Sequence, residues 1–319
     1  MKIDYNINNN QVNIIRCYGT ASYIVLPDII DGYPVTSVSP YCFSARKRCE
    51  DRDVLSVILK DDITYIDDDS IIAGEVVESV TFPDTVESIG NYIFYGCKNL
   101  KEIKFSDKLR DIGSGAFTGC GSISHLEVRL IDSNKTCIKE ILGDLWQRID
   151  VTIINVKNNE VSELVFPEHY EEAVENTPAR ILYTQHHGSG NDYRQCFYNK
   201  EIDYFKYDSL FVIAKARDDI YQLEDQVFKR LKTPVNLVDK HKDEYIDFIK
   251  ENYKVIIEDL VERDRIDLIK LIGKYDLWND NIVDFAIDIA SSYGRTEILS
   301  IVMNNRRKIE PVKKKRFVL

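Results

Sequence analysis

Four side chains in one short stretch have the types to do chemistry: His186, His187, Asp192 and Cys196. A thiol near an imidazole is the pairing of a nucleophile with its base. Adjacent histidines in an extended segment, however, point to opposite faces, so both cannot easily serve one centre. No second His or Cys group has metal-ligand spacing, and C-x-x-C is absent. His186-His187-Gly188-Ser189-Gly190 has the glycines of a phosphate cradle but no Lys and no clear strand-loop-helix setting. The acidic cluster Asp61, Asp62, Asp67, Asp68 and Asp69 could bind a divalent cation, but it lacks EF-hand spacing and the closing Glu. A polar loop and solvated turns account for these two stretches better. No catalytic residue, metal or cofactor is therefore expected. An enzyme or metal site around His186, His187 and Cys196 ranks third among the functional readings.

The elements that would position any site are set by a repeat with a period of 23 between Val54 and Val128. Val54, Val77, Leu100 and Ile123 share one phase. Val57, Val80, Ile103 and Leu126 share a second, and Leu59, Phe82, Phe105 and Val128 a third. Ile63, Val86 and Leu109, then Ile66, Ile89 and Ile112, then Ile71, Phe94 and Phe117 continue the pattern. A fixed period in the twenties predicts a solenoid. Ile103 and Phe105, two apart, point to one side of a short strand. One unit cannot bury that side alone, so units stack, with parallel strands roughly 4.8 Å apart. Gly90 and Gly113 share a phase, as do Gly96 and Gly119, as expected of turns needing positive φ or close backbone approach. Cys97 and Cys120, one period apart, should sit on neighbouring turns as small buried residues.

These residues also carry a family resemblance. Ser79-Val80-Thr81-Phe82-Pro83-Asp84-Thr85-Val86-Glu87-Ser88-Ile89-Gly90, followed by Phe94-Tyr95-Gly96-Cys97-Lys98-Asn99-Leu100, resembles the BspA-type leucine-rich repeat. Ala116-Phe117-Thr118-Gly119-Cys120 repeats it. Val25-Leu26-Pro27 and Ile30-Asp31-Gly32-Tyr33-Pro34-Val35-Thr36-Ser37-Val38 resemble its lead-in. The resemblance spans about residues 1–130. It implies protein recognition, often by secreted or surface-attached adhesins, and brings no catalytic residues.

The chain has 319 residues, 44% of them hydrophobic, enough for two or three domains with cores. Net charge is -11, while residues 306–319 hold seven Lys/Arg and one Glu. An acidic body repels phosphate backbones, so nucleic acid is not an expected partner. Seven cysteines, an odd number, suit a reducing compartment. Residues 1–6 show no secretory signal, and no apolar run is long enough to span a membrane. A cytoplasmic location is expected, with secretion the alternative if a leader has been removed.

Residues 3–16 read as a hairpin capping the first turn, and residues 23–45 as an irregular first repeat, Val35, Val38 and Phe43 matching Val86, Ile89 and Phe94. Arg46–Asp53 reads as a charged surface loop. Residues 138–149 read as helix, 151–156 and 161–166 as a hairpin around Asn158-Asn159, 167–173 as a turn entering a short helix, and 184–193 as a polar loop. Asp219–Leu231 is an amphipathic helix, and five more follow from Asp243. Leu268-Ile269-x-Leu271-Ile272 and Ile298-Leu299-x-Ile301-Val302 match at an offset of 30. Residues 286–299 resemble an ankyrin helix pair without its Thr-Pro-Leu-His opening. The expected architecture is thus an α/β repeat protein. A leucine-rich repeat solenoid occupies 1–130 and a mixed α/β segment 131–240. A helical ankyrin-like module covers 241–305, and a basic tail 306–319.

The expected partner-binding residues are the outward positions of successive turns. They are Glu78, Ser79 and Thr81; Lys101, Glu102 and Lys104; and Ser124, His125 and Glu127, with Leu55, Ser56 and Ile58 on the turn before. Lys313, Lys314, Lys315 and Arg316 in the tail could dock on an acidic partner. The expected function is a non-enzymatic adaptor that binds protein, and an adhesin is the alternative.

Overall fold

Asn9 and Asn10 both take positive φ, 53° and 60°, as a tight two-residue hairpin turn demands. They join β1 (Lys2–Asn8) to β2 (Gln11–Tyr18) in the computed structural model, which describes residues 1–44, 55–58, 72–176 and 181–309. Two compact units divide the chain, Met1–Asp218 and Asp219–Leu319.

In the first unit the chain winds through β3 (Tyr23–Val25), β4 (Ile29–Ile30), β5 (Tyr33–Val38), β6 (Leu55–Ile58), β7 (Ser79–Thr81), β8 (Ser88–Ile89), β9 (Glu102–Ser106), β10 (Asp111–Ile112) and β11 (His125–Leu130). Helix α1 (Ile138–Gly143) and the hairpin β12 (Ile149–Asn155) and β13 (Glu160–Phe166) follow. One sheet stacks β3, β7, β9, β11 and β12 in parallel, and β13 closes it antiparallel. A second ladder runs β2, β5, β8, β10 in parallel, with β1 laid antiparallel on β2. The expected hairpins at both ends of the stack are present.

The core is made by equivalent side chains on successive turns. Ile24, Val80, Ile103, Leu126, Val151 and Leu164 form one buried row. Phe43, Phe94 and Phe117 stack, with ring centroids 5.0 and 5.7 Å apart. Gly96 and Gly119 take positive φ, 78° and 81°, whereas a Cβ on Gly113 would lie 2.2 Å from the Asn91 backbone nitrogen of the turn below.

The period misleads at one place. It aligns Val57 with Val80, yet β6 pairs antiparallel with β1, Val57 opposite Ile3, and Ile24 is the residue opposite Val80. The open edge of β1 offers unpaired backbone groups, and β6 satisfies them. A periodic apolar pattern specifies which side of a strand is buried, not which strand it joins. The match of Val38 with Ile89, made across the irregular stretch between them, is correct. Leu59, Ile63, Ile66, Ile71, the charged stretch 46–53 and the acidic cluster 61–69 lie outside the described residues.

Beyond the solenoid, α1 ends at Gly143 and Ile149 already begins β12. The expected short helix near 170 is a strand, β14 (Tyr170–Asn176), paired antiparallel with β15 (Ile181–His187). Tyr170 and Val174 suit a strand, and the pairing with β15 decides it. The expected polar loop 184–193 is therefore half strand, followed by the short helix α2 (Gly190–Tyr193). After it come the two-residue strands β16 (Phe197–Tyr198) and β17 (Glu201–Ile202) and helices α3 (Tyr204–Ser209) and α4 (Phe211–Arg217). Buried Arg194 ties this region together. Its guanidinium donates to the carbonyls of Leu142, Leu145, Gln147, Pro167 and Gly190, and burial lowers its pKa to about 10.

The second unit is helical: α5 (Ile220–Lys232), α6 (Asp239–Glu251), α7 (Tyr253–Glu262), α8 (Ile266–Lys274), α9 (Asp280–Ser292) and α10 (Thr296–Ile309). Asp219 caps α5, accepting from the Tyr221 and Gln222 amides. α7 packs with α8 and α9 with α10, and the two pairs meet through α7 on α9 and α8 on α10. Their internal turns match at the offset of 30. Asp264 and Gly294 take φ of 57° and 67°, and the Arg265 and Arg295 amides each donate back to a helix carbonyl at 2.8 Å. The Arg295 guanidinium also reaches the carbonyls of Val261 and Glu262, binding the second pair to the end of α7.

Two outcomes are expected. Phe94→Ala should destabilise the solenoid by about 3–5 kcal/mol in denaturant unfolding, because it empties the middle of a stacked triplet. Glu224 is 3% exposed on α5. Burial, then repulsion by Asp259 and Asp225, pushes its carboxyl from 4.5 up to about 8. Between those values the folded chain holds a proton that the unfolded chain has lost, so stability falls as pH rises. Glu224→Gln should flatten that slope and stabilise the helical unit at pH 8 by a few kcal/mol, on the order expected of such a shift. Unfolding curves at pH 5 and pH 8 check it.

Candidate functional site

The outward positions of the parallel sheet fall into three rows. Glu78, Lys101 and Ser124 lie just before their strands, linked by backbone hydrogen bonds from Lys101 to Glu78 and from Ser124 to Lys101. Ser79, Glu102 and His125 form the second row, Thr81, Lys104 and Glu127 the third. The nine expected residues thus line up on one side of the sheet, with Ser79 buried beneath the others. Leu55, Ser56 and Ile58 do not: they belong to β6, in the other ladder.

The register adds residues that the repeat did not reveal. Tyr23 and Val25 extend the second and third rows at one end, and Asp150 and Thr152 extend them at the other. Tyr23 and Val25 are 73% and 67% exposed. The alternation Tyr23-Ile24-Val25, with Ile24 buried, was the available signal. Apolar side chains at one end therefore give way to charged ones along the stack.

The charges are organised across turns. Lys101 Nζ lies 2.7 Å from Glu78 Oε2. Lys104 sits between Glu102 (3.3 Å) and Glu127 (3.2 Å). Desolvation works against the Lys104 ammonium, but hydrogen bonds and attraction to the two carboxylates outweigh it and raise its pKa. Buried Ser79 donates to Glu102 Oε2 at 2.9 Å, so it supports the face rather than forming its surface. Arg129 reaches Asp84 at 2.9 Å, and Arg148 engages Asp150 with two nitrogens. Ligand atoms of Glu102, His125 and Glu127 all lie within 4.8 Å of one another. Residues one period apart in sequence are neighbours here, which a search for local metal spacing misses.

The other sequence candidates have partners elsewhere. His187 stacks on Tyr170 at 4.3 Å and reaches Glu172 at 3.2 Å. Asp192 pairs with Arg217 at 2.8 Å. Cys196 is buried, and burial pushes its thiol up to about 12. Such a thiol is a poor nucleophile at neutral pH. Ser189 is buried and engaged by Asp218 through both its amide and its hydroxyl. The side chain of His186 lies outside the described residues, as do Lys313, Lys314, Lys315 and Arg316. Arg306 lies within α10, which runs on through residue 309 of the expected tail, and it pairs with Asp284 at 3.2 Å.

A stacked-strand solenoid with an aromatic ladder defines the class. Residues 64–168 match the model of the BspA type leucine rich repeat region, in six copies. Among solved structures, the chain is similar to a leucine rich cell surface protein from Faecalibacterium prausnitzii. That match has 23% identity and a TM-score of 0.27, and covers 42% of this chain and 29% of that one. It is also similar to a leucine rich repeat protein of T. pallidum, at 24% identity and a TM-score of 0.29, covering 45% and 55%. A leucine-rich repeat protein from Bacteroides ovatus matches at 14% identity and 0.20, covering 40% and 48%. The chain thus spans well under two thirds of each of these proteins. No curated protein matches. Among the described residues, no helix is long and apolar enough to cross a membrane.

The charge network yields a prediction. Exchanging Glu78→Lys with Lys101→Glu keeps the pair and should leave the unfolding midpoint unchanged. Lys104→Glu puts a third carboxylate beside Glu102 and Glu127 and should cost about 1 kcal/mol. That loss should shrink as salt is added.

Proposed function

We propose that this chain is a non-enzymatic interaction protein that docks another protein on the strand face of its solenoid. One observation carries the reading. The inward row is uniformly apolar from turn to turn, while the outward row changes from Tyr23 through Glu102 and His125 to Asp150. A solenoid needs the first for stacking, and a recognition surface uses the second. The partner would place apolar side chains over Tyr23 and Val25 and complementary charges along the later turns. The helical unit, read as an ankyrin-like module, would supply a second docking surface, making the chain an adaptor. The basic tail, Lys313, Lys314, Lys315 and Arg316, would add affinity for an acidic partner.

Six of the seven cysteines lie among the described residues, all buried and unpaired by disulfides. This favours a cytoplasmic setting. The alternative, a secreted or surface adhesin, is the role that the repeat family implies. The engaged His187 and the buried Cys196 weigh against the enzyme reading.

The test is partner capture from soluble lysate of the native cell with three full-length proteins. These are wild type, Tyr23→Arg with Thr81→Arg, and a chain lacking residues 306–319. Circular dichroism confirms folding. A partner held by wild type and lost from the face variant supports docking there; equal recovery from both would refute it. If the tail contributes, its removal should weaken capture and make it less sensitive to salt.

A further inference from the structure

We propose that Glu102, His125 and Glu127 form a binding site for a divalent transition ion of the zinc class. The strand register makes the site. His125 on β11 lies directly opposite Glu102 on β9, and Glu127 follows His125 by two residues, so all three project from one face. Their ligand atoms lie within 4.8 Å of one another, and all three residues are half-buried. An ion at roughly 2.1 Å from each ligand atom holds its ligands about 3–4 Å apart, so side-chain rotation alone closes the set. The backbone beneath is a hydrogen-bonded sheet, which suits a precise site better than a loop does.

The donor set selects the ion. One imidazole nitrogen with two carboxylates fits zinc or cobalt, whereas magnesium and calcium favour all-oxygen shells. Three protein ligands leave a coordination position open to water or to a carboxylate of a bound protein. Ser79 already orients Glu102 by donating to its Oε2, as an outer-shell partner does.

Lys104 is the competitor. Its ammonium lies 3.3 Å from Glu102 and 3.2 Å from Glu127, on the two carboxylates that the ion would use. Binding the ion requires this side chain to swing away, on a flexible four-carbon stem. Removing the amine should therefore tighten metal binding, which no merely structural role for the triad predicts.

The experiment uses the full chain, stripped with chelator, and titrated with zinc chloride by calorimetry and with cobalt chloride by visible absorption. The expected result is one ion per chain. Binding should weaken at least about tenfold in His125→Ala and tighten several-fold in Lys104→Met, as loss of one ligand or of the competing charge implies. His125→Gln provides a second variant should the alanine protein fail to fold. Magnesium and calcium should produce no comparable heat. No uptake by wild type and by Lys104→Met would overturn the proposal. So would uptake unchanged in the His125 variants, or a thiolate-to-cobalt band showing cysteine ligation. The titration needs no partner protein, so its failure leaves the docking reading standing.

Discussion

Hydrogen-bonded stacking of parallel strands in register is the constraint on which the first unit depends. A strand such as β7, three residues long, has no stability alone. It persists because β3 and β9 satisfy its backbone on both sides and because Val80 lies between Ile24 and Ile103. The same stacking brings Phe94 between Phe43 and Phe117 and demands Gly113 where the turn below approaches. Both ends of such a stack need closing. The β1–β2 hairpin closes one and the β12–β13 hairpin the other. Register also decides the surface: once the inward row is aligned, the outward residues must align too.

Much of this was legible in the residues themselves. Phases of 23 placed Val80, Ile103 and Leu126 in one row, and the match of Phe43 with Phe94 survived the irregular insertion between them. Asn-rich turns marked both hairpins. The insertion defeated the period. Leu55 to Ile58 carry the right residue types for the ladder, but pairing depends on which edge is open, and that edge belongs to β1. Near Tyr170 local signals suggested a helix, where the strand that follows, β15, supplies the pairing. Arg194, which gathers carbonyls from several segments, bears no sequence signal because its partners are backbone groups.

The candidate surface was half legible for the same reason. Outward positions of regular turns follow from the period, so Glu102, Lys104, His125 and Glu127 could be named. Tyr23 and Val25 carry only the local alternation around Ile24, since the chain between their strand and the next one in the stack is far longer than one period. Electrostatics on the face is cross-turn throughout: Glu78 with Lys101, and Lys104 between two carboxylates. These contacts are individually weak at a surface. Their effect is to arrange the charges in a fixed pattern, with exposed apolar side chains at one end. The paired helices of the second unit repeat at an offset of 30, with Leu268 and Ile272 buried like Ile298 and Val302.

Cysteine cross-linking of adjacent turns tests the register most directly. Parallel neighbours sit at a Cα separation compatible with a disulfide. Tyr23→Cys combined with Ser79→Cys should oxidise to one disulfide, identified by peptide mass, because these residues face each other across β3 and β7. Ser56→Cys with Ser79→Cys should not. The reverse outcome would place β6 in the ladder, restore the uninterrupted period of 23, and remove Tyr23 and Val25 from the docking face.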